Sequence, residues 1–163
     1  MASRIRILFV CMGNICRSPL AESIFAHLAR ERGVEDRFEV ASAGTSAYHA
    51  GDPPDRRSVA TARARGVTVS GTSRQLNARD LHDFDYVIVM DAENRSAVDR
   101  LRATDGGSAR IHRLREWDPA KSGLDVPDPY FGGGRGFDDV HDIVERSCAA
   151  LLEDLLTEEG RTE

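Results

Sequence analysis

The sequence lacks a hydrophobic run long enough to cross a bilayer. Its longest apolar run covers residues 7–12, whereas a membrane-spanning helix needs about 20 apolar residues. The chain starts Met-Ala-Ser-Arg and enters that run directly, without the spacer and small-residue cleavage site of a signal peptide. We therefore expect a cytoplasmic protein that does not associate with membranes.

Cysteine is scarce, with three residues at Cys11, Cys16 and Cys148. An odd number of cysteines in a chain without a secretion signal does not indicate a disulfide framework. The five histidines are scattered, and no spacing of cysteine and histidine is typical of a zinc site. The sequence therefore predicts no bound metal.

The chain also has no excess of basic charge, since it contains 22 basic and 27 acidic residues and its net charge is −5. A field of that sign does not attract nucleic acid, so an anionic substrate has to be captured by a local site. The length of 163 residues, with 40% hydrophobic and 30% charged residues, suits one globular domain over residues 1–163 with frayed last residues.

Strand-like and helix-like segments alternate along the chain. Apolar runs predict strands at residues 4–10, 37–43, 85–90 and 110–114, and residues 67–76 stay ambiguous. Amphipathic segments predict helices at residues 18–32, 55–65, 77–82, 91–101 and 137–156. This alternation predicts an α/β fold with a central four-stranded parallel sheet and helices on both faces. Ligands of such sheets bind at the carboxyl ends of the strands.

The loop that follows the first strand carries the chemistry, and it contains Cys11, Met12, Gly13, Asn14, Ile15, Cys16 and Arg17. Backbone N–H groups can converge there on an anion, aided by the next helix, for which we expect Ser18 as the N-cap. Gly13 and Asn14 tolerate the positive φ that such a curl needs. Arg17 offers a planar fork for phosphate oxygens, and this surrounding favours a Cys11 thiolate aimed at phosphorus.

This loop, from Val10 to Pro19, resembles the signature of the low-molecular-weight protein tyrosine phosphatases. The match continues in order through Ala21-Glu22, Ser42-Ala43-Gly44-Thr45, Tyr48, Pro54-Asp55, Phe84-Asp85-Tyr86, Met90-Asp91 and Asp128-Pro129-Tyr130-Phe131-Gly132. The resemblance covers nearly the whole chain. It implies hydrolysis of phosphotyrosine in proteins through a cysteinyl-phosphate, without a metal or other cofactor.

By this resemblance, Cys11 is the nucleophile, and Arg17 and the amides of residues 12–17 bind the phosphate. Asp128 protonates the leaving phenolate and then activates water. The residues support that role, because Asp128 lies in the long irregular segment 115–136 and is stiffened by Pro129. Asp125 is a nearby competitor that lacks the Pro-Tyr context.

Other positions are assigned as supporting residues by similarity. Ser18 resembles the hydroxyl that donates to the Cys11 thiolate, Asn14 the residue that locks the loop, and Ser42 one of its partners. Family members often carry a histidine after the serine at position 70, and this chain has Gly71 instead. We therefore expect that part of the support around Asn14 is absent or rebuilt.

Tyr48 and Tyr130 resemble the aromatic walls that flank a phenyl ring, and a slot with such walls favours aryl phosphates. The neighbouring Arg56 and Arg57 fit two interpretations, a basic patch for acidic residues beside the phosphotyrosine or a solvated helix start.

In the family, a cysteine at the position of Cys16 can form a reversible disulfide with the oxidised nucleophile, so we expect redox sensitivity. Cys148 lies on the apolar stripe of the last helix and is interpreted as core packing. The expected partners are phosphotyrosine-containing proteins and a cognate tyrosine kinase, and the expected state is a monomer or weak dimer.

Three alternative functions, and a nucleotide-loop interpretation of one glycine-rich run, are less consistent with the residues. An arsenate reductase on the same fold needs further cysteines in mid-chain, and residues 77–100 contain none. Protein-arginine phosphatases of the family carry threonine where this chain has Ile15, and an apolar residue favours an aryl group. A phosphotyrosine-binding module without activity is disfavoured because Cys11, Arg17 and Asp128 are all present. The glycine-rich run 132–136 lacks the Gly-Lys-Ser/Thr ending of a nucleotide loop, so a flexible loop is preferred.

Overall fold

A parallel sheet forms the centre of the computed structural model, which describes residues 4–130 and 136–162. The strands are β1 (Ile5–Cys11), β2 (Phe38–Gly44), β3 (Tyr86–Val89) and β4 (Arg110–Arg113). Their order in the sheet is β2-β1-β3-β4, and all three pairings are parallel. The predicted four-stranded parallel sheet is confirmed.

Helices cover both faces of this sheet, as predicted. They are α1 (Arg17–Glu31), α2 (Arg56–Ala64), α3 (Asp80–Asp83), α4 (Ala92–Asp105) and α5 (Gly136–Thr162), with 3-10 turns at Glu35–Arg37 and Leu114–Trp117. In β1, Ile7 and Phe9 belong to the core cluster that includes residues of α1 and α5. Leu8 and Val10 belong to the opposite cluster, with residues of α3 and α4. The strand reads as a continuous apolar run because both of its faces are buried.

The register brings the carboxyl ends of three strands together at one edge. Cys11 of β1 pairs with Gly44 of β2, and Val10 pairs with Val89 of β3. The loops that leave β1, β2 and β3 therefore start side by side. The predicted site lies at this edge.

Several helix boundaries differ from the sequence-based expectation: α3 begins at Asp80 rather than at residue 77, and α4 ends at Asp105 rather than at residue 101. Helix α1 begins at Arg17 with Cys16 at the cap position, so the prediction of Ser18 as N-cap was wrong. Ser18 is fully buried and its hydroxyl is directed to the Cys11 sulfur instead. Helix α5 begins at Gly136 and reaches Thr162, beyond the predicted range. No helix within the described ranges is long and apolar enough to cross a membrane.

The ambiguous segment 67–76 runs beside the end of β2. Gln75 forms a parallel bridge with Gly44. The Gly44 amide donates to the Arg74 carbonyl at 2.8 Å, and the Leu76 amide donates to the Gly44 carbonyl at 2.7 Å. The segment therefore reaches the loop after β1, where it takes part in the site.

Candidate active site

A pocket at the carboxyl edge of the sheet brings most of the predicted site residues together. Its lining consists of Cys11, Met12, Gly13, Ile15, Cys16, Arg17, His49, Asp128 and Tyr130. The loop after β1 forms the floor, and residues far apart in sequence form the walls. Of the predicted loop residues, Asn14 is missing from the lining because its side chain is used behind the loop.

The sulfur of Cys11 lies at the end of β1 with two polar neighbours. The Ser18 Oγ is 3.0 Å from the Cys11 Sγ, and the Asn14 amide donates to the same sulfur at 3.3 Å. Cys11 is only 2% exposed. A hydroxyl and an amide at these distances can stabilise negative charge on sulfur, and the side chain meets a ligand only through the pocket.

The amide side chain of Asn14 holds the loop from behind. Its Nδ2 donates to the Ser18 Oγ at 2.8 Å and to the Ser42 Oγ at 3.0 Å. Its Oδ1 accepts from the Arg74 backbone amide at 3.0 Å. Asn14 is thus held without a side chain at Gly71. The Arg74 backbone, in the segment 67–76 whose structure the sequence left ambiguous, supplies one of its contacts.

The curl of the loop depends on a different glycine from the one predicted. Asn14 has the expected positive φ of 56°, whereas Gly13 is not among the residues with positive φ, so that part of the prediction was wrong. The loop instead needs a glycine at position 44. A Cβ there would lie 2.7 Å from the Met12 carbonyl oxygen and 3.1 Å from the Asn14 Cβ. The Gly44 backbone therefore packs directly under the loop.

Arg17 is oriented by contacts on one side of its guanidinium. Its Nη1 donates to the Asp91 Oδ2 at 2.7 Å and to the Val126 carbonyl at 2.9 Å, and its Nη2 lies 3.5 Å from the Asp128 Oδ2. Burial opposes the charge of Arg17, but Cys11 and Asp91 outweigh it and raise the pKa of the guanidinium. Asp91 was not among the site residues predicted from the sequence, and its position directly after a buried strand was only a weak signal for it.

Two acidic residues near the pocket are separated by the structure. Asp128 lines the pocket, and its Oδ1 accepts from the Tyr130 amide at 3.0 Å. The Oδ1 of Asp125, the competitor, accepts from the Ala92 amide at 3.1 Å, at the start of α4. Asp125 is absent from the pocket lining, so Asp128 is the carboxylate that faces Cys11 and Arg17.

The two tyrosines proposed as walls have different positions. Tyr130 lines the pocket, whereas Tyr48 is 86% exposed and outside the lining. His49, which was not predicted from the sequence, lines the pocket in its place. Its ring lies edge-on to Tyr48 with centroids 4.8 Å apart, and its Nδ1 is 3.1 Å from the Asp52 Oδ2. Adjacency to Tyr48 was the only signal for His49 in the sequence.

Arg57 contacts the pocket wall through Tyr130 and is paired with Asp55. Its guanidinium bonds both carboxylate oxygens of Asp55, at 3.1 and 3.0 Å, and donates to the Tyr130 carbonyl at 3.2 Å. It also lies over the rings of Tyr130 and Phe137, 5.4 and 4.6 Å from their centroids. These contacts favour a supporting role over a free basic patch. Phe131 and the glycine-rich run 132–135 lie outside the described residues.

The other two cysteines are buried thiols. Burial, together with the charge of Asp55, raises the pKa of Cys16 to about 12. Cys148 is fully buried in the core cluster, as predicted, and burial raises its pKa too. Within residues 4–130 and 136–162, no three His, Cys, Asp or Glu side chains are grouped as metal ligands.

The family is decided by comparison with known sequences. Residues 6–161 match the family model described as low molecular weight phosphotyrosine protein phosphatase. The chain belongs to this family. The resemblance drawn from the loop is therefore confirmed, as is the prediction of a protein-tyrosine phosphatase.

Three relatives show how closely the chain matches. It is 41% identical to the low molecular weight protein-tyrosine-phosphatase YfkJ of Bacillus subtilis, over 91% of this chain and 94% of that protein. The crystal structure of YfkJ covers 96% of this chain and 98% of its own, with a TM-score of 0.89. The human low molecular weight phosphotyrosine protein phosphatase is 38% identical over 90% of this chain and 93% of its own. The Drosophila arginine phosphatase DARP is 31% identical over 93% of this chain and 98% of its own, with a TM-score of 0.88.

Proposed function

We propose that the protein hydrolyses phosphotyrosine in proteins in two steps through a cysteinyl-phosphate on Cys11. In the first step the Cys11 thiolate attacks phosphorus, the P–S bond forms, and the P–O bond breaks as Asp128 protonates the leaving phenolate. In the second step Asp128 takes a proton from water, which attacks phosphorus and releases inorganic phosphate and the thiolate. The observation that carries this proposal is the convergence of Cys11, Arg17 and Asp128 on one pocket.

Phosphate binding is assigned to Arg17 and the backbone of the loop. One Nη of Arg17 is occupied by Asp91 and Val126, which sets the plane of the guanidinium. The other Nη lies 3.5 Å from the Asp128 Oδ2, and both side chains line the pocket. Together with the N-terminus of α1, that Nη can hold the equatorial oxygens while negative charge builds up in the transition state.

The preference for an aryl group rests on the apolar part of the pocket. Ile15 and Tyr130 line it, and Arg57 holds Tyr130 in position. A phenyl ring can pack against these side chains, whereas the phosphorylated guanidinium of arginine needs polar partners. The fold shared with an arginine phosphatase makes this preference the first point to test.

The first experiment compares phosphate release from one peptide carrying phosphotyrosine, phosphoserine or phosphoarginine, with EDTA present. We expect rapid release from the phosphotyrosine peptide alone, because Ile15 and Tyr130 give the pocket apolar walls for a ring. Faster release from phosphoarginine would contradict the interpretation of Ile15, and loss of activity with EDTA would contradict the metal-independent route. Release from none of the three would favour a binding module.

Reversible oxidation of the nucleophile is also proposed. Peroxide converts the Cys11 thiolate to a sulfenic acid, and the Cys16 sulfur then attacks the oxidised sulfur. The S–S bond forms as the S–O bond breaks, and the departing hydroxide leaves as water with the proton of Cys16. Both cysteines line the same pocket, and Cys16 keeps its proton until this step because of its raised pKa.

Replacing Cys16 with serine is expected to make peroxide inactivation hard to reverse. Without a partner thiol, the sulfenic acid proceeds to sulfinic acid, which dithiothreitol does not reduce. The measurement is the activity recovered with dithiothreitol after a timed peroxide pulse, with Cys148→Ala as the control for loss of a buried cysteine. Equal recovery in C16S and the unmodified protein would reject the pairing.

A cytoplasmic location, a cognate tyrosine kinase and a monomeric or weakly dimeric state stay predictions.

A further inference from the structure

Arg115 is a buried cation outside the active-site pocket. It lies in the 3-10 turn Leu114–Trp117 and is 8% exposed. Its Nε donates to the Asp118 Oδ2 at 3.0 Å, its Nη1 to the Asp125 carbonyl at 2.9 Å, and its Nη2 to the Ser122 Oγ at 2.5 Å. One guanidinium thus joins three points of the segment 118–125, which leads to Asp128.

The first of these points is fixed in the core of the protein. The Asp118 side chain is fully buried and also accepts from Arg146 of α5, at 2.7 and 3.1 Å. Leu114, in the same turn as Arg115, is fully buried as well. Arg115 therefore extends from a buried part of the fold toward the loop.

Beyond the last of these points, the chain enters the active site within three residues. Val126 follows Asp125 directly, donates to the Met90 carbonyl at 2.7 Å and accepts from Arg17. Asp128 is two residues further on, and its side chain is 32% exposed. In the part of the chain that the structure describes, this partly exposed carboxylate is held by the Tyr130 amide, at 3.0 Å, and the Arg17 Nη2, at 3.5 Å, and the anchors of the backbone before it also contribute to its position.

We propose that Arg115 is a positioning residue for Asp128, and this inference rests on the proposed role of Asp128 in proton transfer. Arg115 closes the segment 118–125 so that the acid approaches the leaving oxygen at hydrogen-bond distance. General acid catalysis requires that distance, and small displacements of the donor reduce the rate strongly. Phosphate binding does not depend on the segment to the same degree, because Arg17 keeps its Asp91 contact.

The test uses Arg115→Met, which keeps the apolar stem and removes the donors, with two substrates. Phenyl phosphate has a poor leaving group that needs protonation, and 4-nitrophenyl phosphate has a more acidic phenol that leaves with little help. General acids contribute about 10²–10⁴-fold, so we expect a partial loss of about 10-fold in kcat/KM for phenyl phosphate. The loss for 4-nitrophenyl phosphate should be within about 3-fold, since that reaction draws little on the acid.

A double-mutant cycle separates positioning from a general structural effect. In an Asp128→Asn background, Arg115→Met should have almost no further effect on either substrate, because the group it positions is gone. Arg115→Lys, which keeps the charge beside Asp118 but cannot reach three acceptors, should give an intermediate loss and guards against a failure of the methionine variant to fold. Leu151→Ala, a core variant in α5, controls for lowered stability.

The outcomes distinguish this inference from the proposed function. Equal losses for both substrates, or the same loss with and without Asp128, would overturn the role of Arg115 while leaving Asp128 in place. If Asp128→Asn itself shows no dependence on the leaving group, the proposed acid is wrong and the inference fails with it. Selective loss in R115M and R115K that vanishes in the Asp128→Asn background supports the positioning role.

Discussion

Replacing Cys11 with serine is expected to lower phosphate release by about 10⁴-fold or more, as removal of a catalytic nucleophile does in other enzymes. A serine hydroxyl is not ionised at neutral pH, and its nearest polar neighbour, the Ser18 hydroxyl, is no base. The Asn14 amide that supports the sulfur offers only a donor. The variant should still bind inorganic phosphate, since Arg17 and the loop backbone are unchanged.

Rapid acid quench with ³²P-labelled aryl phosphate measures the intermediate directly. The unmodified protein should carry label on Cys11, and C11S should carry none. Cys148→Ala is the matched control, because it removes another buried cysteine, one that lies in the core and not in the pocket. Activity of C11S within about 10-fold of the unmodified protein would contradict the assignment of Cys11 as the nucleophile, because an unactivated hydroxyl cannot sustain such a rate.

Replacing Asp128 with asparagine is expected to lower kcat/KM for phenyl phosphate by about 10²–10³-fold, and for 4-nitrophenyl phosphate by much less. Asparagine keeps the shape of the side chain but cannot give up a proton to the phenolate. It also removes the negative charge that lies 3.5 Å from the Arg17 Nη2. Inorganic phosphate should therefore bind D128N more tightly than the unmodified protein, even as turnover falls.

Asp125→Asn is the control for the Asp128 variant. It changes a nearby carboxylate that accepts from the Ala92 amide at the start of α4 and lies outside the pocket lining. We expect a small loss of thermal stability, from weaker helix capping, and no dependence of kcat/KM on the leaving group. A leaving-group dependence in D125N that is absent from D128N would reverse the assignment of the acid.

Much of the fold was accessible to sequence reasoning because its signals are local. The strand before Cys11 is apolar on both faces, and the change from strand to loop to helix is marked by residues 11–19 in order. The cap of α1 was predicted wrongly for a physical reason. A serine near a helix start suits the cap position, but at Ser18 the hydroxyl bonds Cys11 and Asn14 in the buried interior.

The pocket residues that lie close together in sequence were predicted, whereas some residues brought in by other segments of the chain were missed. Cys11 and Arg17 stand at the two ends of one loop, so their spacing was informative. His49 and Asp91 gave weak signals, because a histidine beside a tyrosine or an aspartate before a helix has many other uses. Asn14 was predicted to hold the loop, but the bond that its Oδ1 accepts from the Arg74 backbone amide could not be predicted, because a backbone donor does not depend on the residue type.

The order of residues along the chain was enough to establish the α/β class and to predict an anion-binding loop with Cys11 as its nucleophile, because strand periodicity and loop chemistry depend on near neighbours. Three features could be seen only in the folded chain. They are the position of Asp128 beside Arg17, the presence of His49 rather than Tyr48 in the pocket lining, and the contacts of Arg115 with the segment 118–125. The first two join residues distant in sequence, and they depend on the parallel register that brings the loops to one edge. The Arg115 contacts span only 3 to 10 residues, but they lie in an irregular segment without a periodic pattern. A single sequence contains no local signal for that register, since it follows from how the whole core packs.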